Sequence, residues 1–399
     1  MQPAIHLIVA TVGLLLIAVT LPLLLELLTL SLAATLPSNP PPESSENAIN
    51  LAVIIPAYNE ERLIAQCVAS LAGQAQIFVI AHNCSDATAV RATEAGATAL
   101  VLNDTVGGKG TALDFGFRNA IAAGAEVLLV IDADSVAGPD LISKVVAAFA
   151  HGAQALQCRY EVANPDGSRR TRLAALAFLG MNVLRPRGRH RLGLSCGIFG
   201  NGFALTSDTL AQVPYTPNSL VEDLEYHLHL IRAGIRVEFL DHAAVHSEMP
   251  ENTTAASSQR ARWEGGRILM RRLWSVPLAL EVLRGRVRML EPLLDLLALP
   301  LATEAALLIL IVTCGLAAHI SWLVAYGVIG CVSIALYVLV AATLGPKPGA
   351  TLAALASVPG FLTWKVMMIR HTRRAARIDA TWVRTARNAE ASNQTKPKT

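Results

Sequence analysis

The sequence predicts an α/β domain built on a Rossmann-like, mixed and mostly parallel sheet, flanked by transmembrane helices. Three observations carry that expectation. Of 399 residues, 53% are hydrophobic and only 16% charged, against about 25% charged in an ordinary soluble chain. The apolar excess gathers in two blocks, residues 4–36 and 293–344. Between them, short apolar runs ending in polar turns alternate with helical periodicity, which is how strands covered on both faces by helices read. A mean hydropathy of +0.45 excludes a simple cytosolic enzyme. Composition also excludes disordered, collagen-like, coiled-coil and nucleic-acid-binding classes. The balance of 33 Lys and Arg against 30 Asp and Glu requires a normally charged globular part.

Residues 1–36 are predicted as an N-terminal transmembrane helix, longer than the ~20 residues that span hydrocarbon. A cleaved signal would carry a basic start and a shorter apolar core, but Met1–His6 has neither Lys nor Arg. Residues 37–49 read as a linker and 50–265 as one domain. Residues 266–292 form a basic interfacial helix, and 293–344 a hairpin of spans at about 296–316 and 321–344, with Glu304 facing protein. Residues 345–399 are expected to form an interface helix at 350–369 and a basic tail. Arg284, Arg286 and Arg288 before the hairpin, and Arg370, Arg373, Arg374 and Arg377 after it, place both flanks in the cytoplasm. The expected location is the cytoplasmic (inner) membrane, multi-pass, with the domain facing the cytoplasm. Six scattered cysteines, at 67, 84, 158, 196, 314 and 331, form no CxxC pair, which fits a reducing cytosol and argues against zinc and disulfides.

Within the domain, Leu51–Ile55, Ile77–Ala81 and Val127–Ile131 are the strand candidates. Ligands gather at the carboxyl ends of such strands, so the residues just beyond them are the ones to weigh: Pro56, Tyr58 and Glu60; His82 to Asp86; and Asp132 and Asp134. Asp132 and Asp134 point to one side of an extended chain. Two such carboxylates repel unless a cation lies between them, and hard oxygen ligands suit Mg²⁺ or Mn²⁺ bridging phosphates. Gly107–Gly110 is not a Walker A loop, since Gly follows Lys109. It can still bring an ammonium to a diphosphate, and it equally suits a plain turn before a helix at 111–121.

Ser219–Glu222 fits a capping box, with Gly234 as the stop. Asp223 then lies in a first helical turn, as a general base or as ordinary acidic decoration. If helical, Gln259, Arg262 and Trp263 share a face, where an Arg fork suits phosphate and a Trp face suits a sugar ring. A basic interface helix explains the same residues. His227 and His229 point apart on a helix, which argues against zinc; His246 could add one ligand to the divalent ion.

Together these pieces resemble the membrane-embedded family 2 glycosyltransferases, which include cellulose, hyaluronan and poly-N-acetylglucosamine synthases. The matching elements run in the family's order: VIIPAYNEE at 53–61, NCSD at 83–86, GKG at 108–110, DAD at 132–134, GNG at 200–202, VED at 221–223 and QRARW at 259–263. The resemblance covers about 50–275 and implies a GT-A fold with inverting transfer from a nucleotide sugar. It implies Asp223 as the base. Donor contacts would come from Pro56, Tyr58, Glu60, His82, Asp86, Lys109, Asp132, Gln259 and Arg262. Acceptor contacts would come from Gly202, Glu222 and Trp263. Asp132, Asp134 and His246 would hold Mg²⁺ or Mn²⁺. His82 departs from the pattern, standing where many members carry a base-contacting Asp; UDP is the default nucleotide. The expected partners are a nucleotide-sugar donor, a lipid or polysaccharide acceptor and the membrane, with room for a homo-oligomer or an export partner. Polymer synthesis and single transfer to a lipid both stand, because three spans make a thin channel wall. The competing reading is a non-catalytic synthase-like membrane subunit partnering an active enzyme.

Overall fold

The computed structural model describes residues 2–37, 49–104, 108–216 and 221–360. Eight strands form one sheet in the order β3-β2-β1-β4-β7-β6-β8-β5. In chain order they are β1 Leu51–Ala57, β2 Gln76–His82, β3 Thr98–Leu102, β4 Val127–Val130, β5 Ser135–Ala137, β6 Ala155–Val162, β7 Phe203–Thr206 and β8 Val237–Ser247. Four pairings are parallel and three antiparallel. The three expected strands are β1, β2 and β4. The alternation rule explains their unbroken apolar spelling. Leu51, Val53 and Ile55 enter the core on one face, and Ala52 and Ile54 the core on the other.

The helices before the second apolar block are α1 Gln2–Ala34, α2 Ile64–Ala69, α3 Thr88–Glu94, α4 Lys109–Ala122, α5 Leu141–Ala150, α6 Arg169–Leu179, α7 Arg185–Arg191, α8 Ser207–Gln212, α9 Glu222–Ala233 and α10 Thr253–Leu283. α2, α3 and α5 cover one sheet face, while α4, α8 and α9 cover the other. Gly116 lets α4 lie close on the sheet, because a Cβ there would meet Ile54 Cγ2 at 2.6 Å. α10 carries Gln259, Arg262 and Trp263 and runs unbroken past residue 266, where the sequence suggested a second segment.

The apolar blocks become α1, α11 Leu290–Leu297, α12 Leu301–Ala317 and α13 Ser321–Thr343. His6–Ala34 and Ser321–Thr343 are each long and apolar enough to cross a membrane, and the α11–α12 pair is bent by 82°. The helix expected to start at about 296 therefore begins at Leu301. Pro300 has no amide to continue the preceding helix, so the chain breaks there. The short helix α14 Pro348–Ala353 and a 3-10 turn at Ala354–Ser357 follow, packing on α6 and α13. Most of the expected linker, residues 361–369 of the expected interface helix, and the basic tail lie outside the described residues.

A buried charge network joins these layers. Glu26 of α1 accepts from Arg185 (Nε, 3.0 Å) and Arg189 (Nη2, 2.6 Å) of α7. Asp295 of α11 accepts from the same two arginines at 2.6 and 2.8 Å. It also pairs with Arg267 of α10 at 3.0 Å, and Arg189 pairs with Glu291. Three carboxylates and three guanidiniums thus offset one another, with Glu26, Arg185 and Arg189 buried at the centre and Arg267 partly exposed at the edge, and such pairing is the condition under which buried charge is tolerable.

Candidate active site

Four loops converge at the carboxyl edge of β4. Asp132 follows that strand, and its amide donates to Asn201 Oδ1 at 3.0 Å. Asn201 is fully buried, and its Nδ2 donates to Ser135 Oγ at 2.9 Å and Ser247 Oγ at 3.3 Å. Gln157, equally buried, donates to the Asn201 carbonyl at 2.7 Å and accepts from the Phe199 amide at 3.0 Å. Two amide side chains inside the sheet therefore fix the loop 197–202 against the turn bearing the two aspartates.

Gly200 is the pivot of that loop. Its φ of 75° is costly for residues with a Cβ. A Cβ would also stand 3.3 Å from Asp223 Oδ2 and 3.5 Å from Lys109 Nζ. Lys109, the first residue of α4, donates to the Gly200 carbonyl at 2.5 Å and pairs with Asp132. Burial alone would lower the Lys109 ammonium, but Asp132 and then Glu222 outweigh it and raise it. Gly202 is enclosed within the sheet, its amide donating to the Val130 carbonyl at 2.9 Å. It shapes the loop from inside and presents no surface to an acceptor.

Glu222 and Asp223 open α9, whose Gly234 stop has the expected left-handed conformation, φ 85°. Ser219 lies outside the described residues. Val221 occupies the cap position without a side-chain cap, and Asp223 Oδ1 instead accepts from the Leu224 amide at 2.8 Å. Burial raises Asp223 above the usual carboxylate range against the pull of that amide and of Lys109. Burial first, and the Asp223 charge second, push Glu222 up to about 7. Two adjacent carboxylates that resist ionisation beside one ammonium form a tuned acid–base cluster.

The residues at β1 and β2 form the other wall. Pro56, next to last in β1, is half-buried, Tyr58 is 42% exposed, and Glu60 is buried with its amide on Thr88 Oγ1 at 2.9 Å. Asp86 is engaged in its own loop, accepting from the Thr88 amide at 3.0 Å and the Glu61 amide at 3.1 Å. Burial opposes its ionisation, yet Thr88 and those amides hold it below the usual range. His82, 5% exposed, bonds through Nε2 to Asp104 Oδ1 at 2.9 Å.

On α10, Gln259 and Trp263 line a shallow pocket with Arg170, Thr171, Met249 and Pro250. Arg262 sits half-buried on the same helix. An aromatic row ties this pocket to the aspartates: Trp263 lies 6.3 Å from Phe178, and Phe178 stands edge-on to Tyr160 at 4.7 Å. Burial, then Asp132 and Asp134, raise the Tyr160 phenol.

Divalent-ion chemistry can be tested on the donor set. Asp132 and Asp134 supply hard oxygens at one turn, which suits Mg²⁺ or Mn²⁺ completed by diphosphate oxygens. His246 does not join them. The parallel β6–β8 register sets it opposite Glu161, with Nδ1 3.7 Å from Glu161 Oε2. Among the described residues, no group of three or more His, Cys, Asp or Glu side chains is arranged to hold a metal. The two aspartates fit the ion only with ligands from a bound molecule.

Sequence reasoning missed Asn201, Gln157, Asp104 and Tyr160. A polar Gln157 inside the apolar run 155–158 was a legible signal of a buried hydrogen-bonding role. Nothing local marks Asp104.

The structure overlays a mannosyltransferase from Pyrobaculum calidifontis, solved with GDP-Man and Mn²⁺, with a TM-score of 0.51 and 16% identity, covering 94% of this chain and 97% of that one. This likeness shows a shared fold. A probable glycosyltransferase of Bacillus subtilis, YdaM, is 23% identical over 240 residues, and the match spans 56% of either chain. Protein RfbJ of Shigella flexneri is 32% identical over 107 residues, which is 25% of this chain and 79% of that one. Residues 49–266, the whole sheet and the start of α10, match the model of the glycosyltransferase-like family 2, so the chain belongs to glycosyltransferase family 2.

Proposed function

We propose that the chain transfers a sugar, with inversion, from a nucleotide-sugar donor to a lipid or growing polysaccharide acceptor at the cytoplasmic face of a membrane. The observation that carries the reading is the meeting of Asp132, Lys109, Gly200 and Asp223 at one strand end. Lys109 is placed to balance charge gathering on a leaving diphosphate, and Arg262 is its proposed helper from α10. A divalent ion held by Asp132 and Asp134 would supply further neutralisation of that diphosphate. Asp223, raised by burial, takes the proton of the acceptor hydroxyl as that oxygen attacks. Trp263, 37% exposed beside its shallow pocket, offers a face to a sugar ring.

The membrane setting supports a membrane-associated acceptor. Two helices can cross a bilayer, and Arg284, Arg286 and Arg288 flank the hairpin on the side read as cytoplasmic. Asp223→Asn keeps the shape and removes the base. Donor binding should persist, while turnover should fall by about two to four orders of magnitude. Turnover at the wild-type rate in detergent-purified protein would remove Asp223 from this role.

A further inference from the structure

The crevice has a direction, and its far end holds a group the sequence motifs do not contain. Asp223 and Gly200 stand on the β7 side of Asp132, because loop 197–202 leads into β7 and β7 pairs with β4. The reacting end of a bound donor therefore lies on that side. On the other side the sheet continues from β4 through β1 to β2, in the same parallel register. Two strand spacings separate β4 from β2, about 10 Å, and a ribose linking diphosphate to base spans such a gap. The base must therefore come to rest beyond Pro56 and Ala57, against the end of β2.

There the chain places His82 and Asn83, both tied to Asp104 beyond the end of β3. The Asp104 amide donates to Asn83 Oδ1 at 3.1 Å, and His82 Nε2 meets Asp104 Oδ1 at 2.9 Å. A carboxylate only accepts, so the Nε2–H of His82 must be the donor. That bond engages one Asp104 oxygen. The side chain remains 27% exposed, and its Oδ2 has no partner among the described residues.

We propose that Asp104, held by His82, is the residue that selects the donor's base, and that it selects bases presenting a ring N–H, uracil or guanine, over cytosine and adenine. The inference rests on the nucleotide-sugar reading of the same crevice. A fixed carboxylate oxygen accepts from a ring N–H. It repels the bare ring nitrogen that cytosine and adenine offer at that edge. Leaving a charged acceptor unmatched costs more than a mismatched contact in water would. Departure from the usual residue at position 82 is then no loss of base recognition, because Asp104 supplies the carboxylate from the neighbouring strand's loop.

The test is a binding panel of UDP, GDP, CDP and ADP with Mg²⁺ on the full-length protein in detergent, read by calorimetry. UDP or GDP should bind about tenfold or more tightly than CDP and ADP. In Asp104→Asn, His82 still donates to the amide oxygen, turning the NH₂ toward the crevice, so the preference should shrink by at least about tenfold. Equal binding of all four nucleotides by the wild type overturns the proposal without touching the sugar-transfer reading. An unchanged preference in a folded Asp104→Asn protein also overturns it. Failure of every nucleotide to bind removes the nucleotide-sugar reading itself, and this inference with it.

Discussion

At the residue scale, the site works by placing like charges where they hinder one another. Glu222 and Asp223 share a helix start, and burial raises both. They titrate as a pair, so a pH profile reports the pair rather than either group. A base must be ionised to accept a proton, so kcat/KM should rise with pH through an acid limb displaced above the usual carboxylate range by the burial of Asp223, and then level. Burial is what raises Asp223, whereas the Asp223 charge is part of what raises Glu222, so Glu222→Gln should leave the limb of Asp223 in place. A limb that moves in Glu222→Gln would show that Glu222, not Asp223, sets it. The residue scale is also where the sequence was most and least legible. Asp132, Lys109 and Asp223 were visible as motifs because their chemistry is spelled locally. Asn201 and Gln157 were not singled out, because their role lies in hydrogen bonds across 69 and 44 positions. What His246 faces is decided by strand register, not by spacing along the chain: Glu161 on one side and Val136 on the other.

At the scale of elements, alternation and periodicity identified β1, β2, β4 and α9, but three joints escaped. The break at Pro300 was hidden within a hydropathy average, and the continuity of α10 within a boundary drawn by composition. The third joint is the charge network, whose partners Glu26, Arg185 and Asp295 are each unremarkable alone. Arg267 follows Trp263 by one turn on α10, and Asp295 links it to Arg185 and Arg189. The helix carrying Gln259, Arg262 and Trp263 is therefore fixed at its midpoint. Asp295→Asn removes one charge from a buried cluster and leaves arginines short of a partner, which costs about 3–5 kcal/mol. The exposed Arg91–Glu94 pair, at 57% and 59% side-chain exposure, provides the contrast: Glu94→Gln should change stability by less than about 1 kcal/mol. Denaturant unfolding in detergent measures both. Equal effects would mean that the network is solvated and not a structural joint.

At the scale of the whole molecule, the question is whether the family 2 domain is tethered to its apolar helices or built onto them. A composition reading divides the chain into a soluble part and membrane parts, and a tether would let either part fold without the other. The packing argues otherwise. Leu23, Leu27 and Ala34 of α1 share one apolar cluster with Leu176 and Leu184 of the domain and with Tyr337 and Ala341 of α13. Gly188 of α7 sits so close to α1 that a Cβ would stand 2.5 Å from the Leu30 carbonyl oxygen. Glu26 then closes the charge network from the α1 side. Deleting residues 1–36 would uncover that apolar surface and leave Arg185 and Arg189 without Glu26, two penalties that act at one place. The shortened chain should therefore aggregate or lose turnover even though every proposed catalytic residue lies beyond position 50. Co-expressing residues 1–36 as a separate peptide should restore monodisperse, active protein, because the helix supplies packing and charge rather than connection. Size-exclusion profiles and donor turnover measure both outcomes, and a fully active, monodisperse deletion variant would establish a simple tether instead.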